Sequence, residues 1–312
     1  MWFSAARPAR YFGLVARRDR RHPENADGEW FVDDRCIGCG ASSSIAPGLI
    51  DLTSSGTQFA FVRQPANDSE AHLAELAAEV CPTRSIGTES GRRWPTHHPV
   101  DIAHRVWRMG SNSPDTAGGN AYLVQRPHGN LLIDAPRYTD RLHREAESRG
   151  GIAQILLTHR DDVGDADRYA DAFGADVVIH EADREAAPFA TRVLAGAQPI
   201  EVATGVQAIP TPGHTAGHLM YLLAEEEILF TGDSLAWDHH REDLWAEQFV
   251  CWDSWPNQLH SLERLAEYRF SKIIPTHGAV SPRLDPSAMT ERLRRLVAEL
   301  RERWMAERGP VR

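Results

Sequence analysis

Five acidic or imidazole side chains each close an apolar, strand-like run, and that placement constrains the fold more than any other feature of the chain. Asp134 follows "LLI", His159 follows "ILLT", His214 ends "IPTPGH", Asp233 follows "ILFTG" and His277 follows "IIPT". Strand ends along one edge of a sheet are where α/β folds gather their active sites. Gly213, Gly232 and Gly278 stand beside three of these residues and permit tight turns close to a ligand or metal. One histidine after a strand is an ordinary hydrogen-bonded residue. The whole ordered set predicts a shared site of histidines and carboxylates, the donor chemistry of a metal centre.

The intervening pattern supports an α/β domain. "NAYLVQR" and "NLLIDAP" read as a hairpin across "PHG", and "LMYLLAEEEILFTGD" as a second hairpin with an acidic turn. Helical stretches are expected at "TDRLHREAESRG", "DADRYADAFG", "WPNQLHSLERLAEY" and the closing "AMTERLRRLVAELRERWMAE". Strands and helices alternate without an internal repeat. The polar, proline-bearing "SGRRWPTHHP" reads as a linker. It divides the chain into an N-terminal module, residues 1–98, and a larger domain, residues 99–312.

"TH…D", "TPGHTAGH", "FTGDS" and "IPTHG" together resemble the ordered motifs of the metallo-β-lactamase superfamily, over roughly Asp101 to Ser281. The resemblance implies an αβ/βα sandwich with two sheets face to face, helices outside and a metal pair at one edge. It implies a structural role for Asp134, a first-metal role for His214, a bridging role for Asp233 and a second-metal role for His277. His218, in "HTAGHL", is either a partner beside the site or a helix-side structural residue, and is not expected as a ligand.

The first motif departs from the family's Thr-His-x-His-x-Asp-His. Without a gap, the ligand positions hold His159, Asp161, Val163 and Gly164, and the last two cannot bind metal. With two residues inserted, Asp161 replaces the second histidine, Asp165 takes the aspartate place and Ala166 the final histidine place. Asp162 is an alternative ligand. The expected set is therefore His159, Asp161, Asp165, His214, Asp233 and His277, with Asp165 also the candidate proton acceptor. Added carboxylates shift preference toward harder ions, so iron is expected ahead of zinc or manganese.

"CIGCGAS" followed by "EVCPTRSIG" resembles a one-cluster ferredoxin module, a small α+β fold. Cys36, Cys39 and Cys81-Pro82 match the pattern, but Ser42 stands at the third cysteine position. Cluster irons need thiolates, usually four, so the expectation is a relic module without an iron–sulfur cluster. A helix "NDSEAHLAELAAEV" should carry Leu73, Leu76, Ala77 and Val80 on one face.

The net charge of −10 argues against nucleic acid as a partner. No apolar run approaches the roughly 20 residues needed to span a bilayer, so no membrane partner is expected. Arg7, Arg10, Arg17, Arg18, Arg20 and Arg21 interrupt any secretory core, and a cytoplasmic protein is expected. Two enzymatic readings follow. The favoured one is a non-haem diiron oxygenase hydroxylating a small organic or acyl-thioester substrate, which would call on an electron donor. The other is a metal-dependent hydrolase of a thioester, lactone or related ester or amide. A metal-free binding or electron-carrier relic is the third reading. Trp237, Trp245 and Trp252 suit a bulky, apolar small-molecule substrate, framed by residues 137–142 and 236–255.

Overall fold

The computed structural model describes residues 15–308, so Arg7 and Arg10 of the arginine-rich start lie outside the described residues. The chain divides into two compact units, residues 1–96 and 97–312. Among the described residues, no helix is long and apolar enough to cross a membrane.

The first unit is small and mixed. Trp30–Val32 pairs antiparallel with Ile86–Thr88, and Ile50–Leu52 with Phe59–Phe61. The helix Asp68–Val80 starts where Asn67 accepts a hydrogen bond from the Glu70 amide, satisfying a donor that has no partner inside the helix. Ala74, Leu76, Ala77 and Val80 form its buried face. Leu73, expected on that face, is only half-buried because Ala74 takes the inward position.

The second unit holds two sheets. The seven-stranded sheet runs, in spatial order, Arg192–Leu194, Asp176–His180, Gln154–Leu156, Leu131–Ile133, Tyr122–Val124, Val106–Arg108 and Val100–Asp101. The five-stranded sheet runs Ile200–Ala203, Val206–Pro210, Leu219–Leu223, Ile228–Gly232 and Lys272–Pro275. Both expected hairpins are present as antiparallel pairs, Tyr122–Val124 with Leu131–Ile133 and Leu219–Leu223 with Ile228–Gly232.

Side chains alternate between the faces of a strand, and here both faces are apolar. Along Leu219–Leu223, Leu219, Tyr221 and Leu223 join Tyr122, Leu131, Leu156 and Phe230 in the core between the sheets. Met220 and Leu222 of the same strand point the other way, against Trp255, Leu259, Leu262, Met289 and Leu293 from the helices Trp255–Arg264 and Pro286–Arg308. The seven-stranded sheet mirrors this arrangement. Leu123, Leu132, Ile155 and Val177 pack on Leu142, Ala146, Ala166 and Tyr169 from the helices Asp140–Ser148 and Ala166–Phe173. The result is a helix–sheet–sheet–helix sandwich whose strand ends carry the histidines and aspartates to one edge.

Candidate metal centre

The site is built from loops that leave both sheets. His159 follows Gln154–Leu156, and His214 follows Val206–Pro210. Asp233 directly follows Ile228–Gly232, and His277 lies just past Lys272–Pro275. Asp134 ties these ends together. Its Oδ1 accepts from the Thr158 amide at 2.8 Å, and its Oδ2 accepts from the hydroxyls of Thr158 at 2.9 Å and Thr276 at 2.7 Å. Burial pushes its pKa up to about 7.

Two groups of donors share Asp233. His159, His214 and Asp233 form the first; Asp162, Asp233 and His277 form the second, with ligand atoms in each within 4.8 Å of one another. His159 Nε2 lies 3.6 Å and His214 Nε2 lies 3.7 Å from Asp233 Oδ2. Asp161 Oδ2 stands at the open side, 3.8 Å from His159 Nε2 and 3.7 Å from His214 Nε2. Asp162 Oδ2 is 3.3 Å from His159 Nε2 and 3.8 Å from His277 Nδ1.

Hydrogen bonds on the far ring nitrogens set which nitrogen faces the cluster. His159 Nδ1 bonds the Thr158 hydroxyl at 2.9 Å, and His214 Nδ1 donates to the Val250 carbonyl at 2.6 Å. Both leave Nε2 with a free lone pair. His277 is reversed: Nε2 donates to the Ala117 carbonyl at 3.3 Å, which turns Nδ1 to the carboxylates. His218 is committed elsewhere. Its Nδ1 bonds Thr211 Oγ1 at 2.8 Å, and its Nε2 accepts from the Asp233 amide at 3.3 Å. Burial pulls its pKa down to about 3, so it sits neutral beneath Asp233.

Burial and charge pull the titrating groups apart. Burial holds His159 well below the ordinary imidazole range, although Asp233 works against that shift. Burial also raises Asp162 well above the carboxylate range, with the charge of Asp233 adding to it. For Asp233, burial is outweighed by His277 and His159, and its carboxyl lies far below the usual range. His277 is pushed up to about 10, because Asp233 and Asp162 overcome its burial.

The donor set fits metal ions. His159 Nε2, His214 Nε2 and both carboxylate oxygens of Asp162 are buried without a hydrogen-bond partner. Each such atom costs about 1–3 kcal/mol when left unsatisfied, and here they converge on shared points. Cations would satisfy all of them at once.

Two expected ligands are corrected: Asp161 and Asp165 are absent from both donor groups, and Asp162 stands in the second group. Arg160–Asp162 forms a single 3-10 turn that puts Asp161 and Asp162 side by side with no gap needed. The chain then bends at Gly164, where φ is +53° and a Cβ would lie 2.1 Å from the Ala135 carbonyl oxygen. That bend carries Asp165 to the start of the helix Ala166–Phe173, where its Oδ2 accepts from the Tyr138 amide at 2.7 Å. The neighbouring segment 137–142 belongs to the same outer layer, with Tyr138 packed 4.9 Å from Tyr169.

Trp237 is also corrected, being a buried member of the core between the five-stranded sheet and its helices. Trp255 lies in the same core, and Cys251 packs against it while its thiol donates to the Gly213 carbonyl at 3.0 Å. Trp252 instead stands 58% exposed, its ring 6.0 Å from that of His214. Phe249, which the sequence reading passed over, is 71% exposed and lies 6.4 Å from Trp245.

In the first unit, Cys36, Cys39, Ser42 and Cys81 line one small concave pocket with Val32, Ile50, Phe59 and Ile86. Burial, then Cys81, pushes the Cys39 thiol up to about 12. Ser42 turns away, its hydroxyl donating to the Ala77 carbonyl at 2.9 Å. The donor set is three thiols, which does not fit a cluster held by four thiolates.

Residues 107–246 match the family described as the metallo-β-lactamase superfamily, and residues 32–88 that described as the 4Fe-4S single cluster domain of ferredoxin I. Among curated proteins, the lactamase-like protein notP of Aspergillus sp. (strain MF297-2) is 26% identical over 214 residues, 64% of this chain and 63% of that protein. The thioesterase pkgB of Emericella nidulans is 30% identical over 160 residues, 46% of this chain and 45% of that protein. A hydroxyacylglutathione hydrolase of Acidiphilium cryptum is 30% identical over 127 residues, 40% and 52% respectively. The chain spans about three-fifths of the length of the lactamase-like relatives it matches, 63% and 62% for two of them. Among solved structures, the DIM-1 metallo-β-lactamase exposed to ceftazidime aligns with a TM-score of 0.50 at 16% identity, covering 67% of this chain and all of that one. Residues 107–246 resemble the metallo-β-lactamase superfamily, and a ferredoxin-like match at residues 32–88 precedes them in sequence.

Proposed function

We propose that this protein is a metal-dependent hydrolase of small acyl thioesters with a bulky apolar acyl group. The observation that carries the proposal is the set of orphaned ligand atoms on His159, His214 and Asp162 around Asp233. Bound there, a metal pair would supply an acidified water and a Lewis acid for the acyl oxygen. His159, His214 and Asp233 would hold one ion; Asp162, Asp233 and His277 the other. Relatives named as a thioesterase and a hydroxyacylglutathione hydrolase support thioester hydrolysis.

The chain's own groups suit that reaction. Asp161 is 47% exposed, so it can take the proton of the attacking water and return it to the departing thiolate as the C–S bond breaks. Asp162 is buried and serves as ligand only. The Trp252 ring stands 6.0 Å from that of His214, and Phe249 adjoins Val250, whose carbonyl accepts from His214 Nδ1. They form an aromatic rim on which an apolar acyl group would rest.

The second reading, a diiron oxygenase, is favoured by one feature: the carboxylates Asp162 and Asp233 among the donors, with Asp161 close by, 3.7 Å from His214 Nε2. One experiment separates the two. The full chain is loaded in turn with zinc, iron or manganese and given an aromatic acyl thioester, while thiol release and oxygen uptake are followed. Thiol release without oxygen uptake is expected. Oxygen uptake with a hydroxylated, still thioester-linked product would overturn hydrolysis in favour of oxygenation. A chain that binds none of these metals would sink both.

A further inference from the structure

Asp183 lies outside the ligand set, on the 3-10 turn Glu181–Ala186, and is 1% exposed. Its Oδ2 accepts from the Arg160 amide at 3.1 Å and from the Thr215 hydroxyl at 2.6 Å. Its Oδ1 accepts from the Gly217 amide at 3.2 Å. Arg160 follows His159, Thr215 follows His214, and Gly217 precedes His218. One buried carboxylate therefore grips a loop from the seven-stranded sheet and a loop from the five-stranded sheet, in each case next to a metal-facing histidine.

The fit is close. A Cβ on Gly217 would lie 2.6 Å from Asp183 Cγ, so only glycine lets the second loop come this near. The two histidine rings held beyond these contacts meet edge to face, with centroids 4.7 Å apart at 88°. Hydrogen bonds to an ionised acceptor are shorter and stronger than neutral ones, which suits a carboxylate for bracing two backbone segments.

We infer that Asp183 is a positioning residue for the metal centre: by clamping the backbone beside His159 and His214, it sets the spacing of their Nε2 atoms. The inference rests on reading the site as a metal centre. A ligand spacing held by the fold binds metal more tightly than one that must be reordered at each binding event, and groups that orient ligands typically contribute 10–100-fold in affinity.

Cobalt(II) is the probe, added to the metal-free full chain, with affinity measured by titration and geometry by visible absorption. Asp183→Asn keeps the shape but sets an NH2 group against a donor. It should lower cobalt affinity by about 10–100-fold and alter the absorption bands, while far-UV circular dichroism stays native. Thr215→Val removes only one of the three contacts and should give a smaller loss of the same kind. If Asp183→Asn does not fold, Thr215→Val decides the matter. Folded variants with wild-type affinity and wild-type bands would overturn the inference. Failure of the unaltered chain to bind cobalt would instead overturn the metal-centre reading on which it rests.

Discussion

His277 Nδ1 lies 2.9 Å from both carboxylate oxygens of Asp233, so without an ion these two groups hold a proton between them. Any cation shared by Asp233 must compete with that proton, and metal binding to this pair should release it.

The pH dependence of the metal-free protein follows. The folded-state pKa of His277 is raised to about 10 from an ordinary 6.5. A raised pKa stabilises the fold fully below the unfolded value and loses that effect as pH climbs through the folded value. Below pH 7 other groups intrude, including Asp134 at about 7 and His218 at about 3. Above about pH 9 the buried thiols of Cys39 and Cys251 begin to contribute. Between pH 7 and pH 9 the Tm of metal-free protein should fall as pH rises. His277→Gln should flatten that slope; an unchanged slope would remove His277 as its cause.

The neighbouring aspartates should respond differently to amide substitution. Asp162→Asn should drop metal content after exhaustive dialysis from two ions per chain toward one, read by elemental analysis. Asp165→Asn should leave metal content intact and cost about 1 kcal/mol of stability, the worth of its bond to the Tyr138 amide. The reverse pattern would restore Asp165 as the ligand.

The aromatic rim should set acyl preference. Burying an aromatic side chain against a substrate is worth about 1.5–3 kcal/mol. Phe249→Ala and Trp252→Ala should each raise KM for an aromatic acyl thioester roughly tenfold or more, and leave an acetyl thioester nearly unaffected. Equal effects on both substrates would place these side chains outside the acyl site.

The three-thiol pocket should be completed by one substitution. Incubated with iron and sulfide without oxygen, the unaltered chain should retain no four-iron cluster, whereas Ser42→Cys should retain iron and sulfide in equal amounts with broad visible absorption. The substitution also forfeits the bond to the Ala77 carbonyl, at about 1 kcal/mol. Equal cluster content in both proteins would show that the serine position is not what limits assembly.

Much of the sandwich was written in local pattern. Long apolar runs such as "LMYLL" and "ILFTG" declare strands buried on both faces, and Thr139 and Ser254 mark helix starts by accepting from the Leu142 and Asn257 amides. Short strands were harder to see. Arg192–Leu194 and Ile200–Ala203 carry little apolar periodicity and exist because an established neighbour offers them a ladder. Trp237 reads as a pocket residue by type and position, yet a hairpin with Asp243–Trp245 turns it inward beneath Arg292.

Local sequence was sufficient to put histidines and aspartates at strand ends, because strand length and the turn after it are set by neighbouring residues. It pointed to Asp161 and Asp165, with Asp162 an alternative to Asp161, whereas the structure gathers Asp162 with Asp233 and His277. That choice belongs to the tertiary structure. The Ala135 carbonyl, about thirty residues away in sequence, leaves room only for glycine at the bend, and the Tyr138 amide claims the later carboxylate. Asp183 is the same case: its spacing from His159 and His214 forms no motif, and only the meeting of two sheets brings it between their loops.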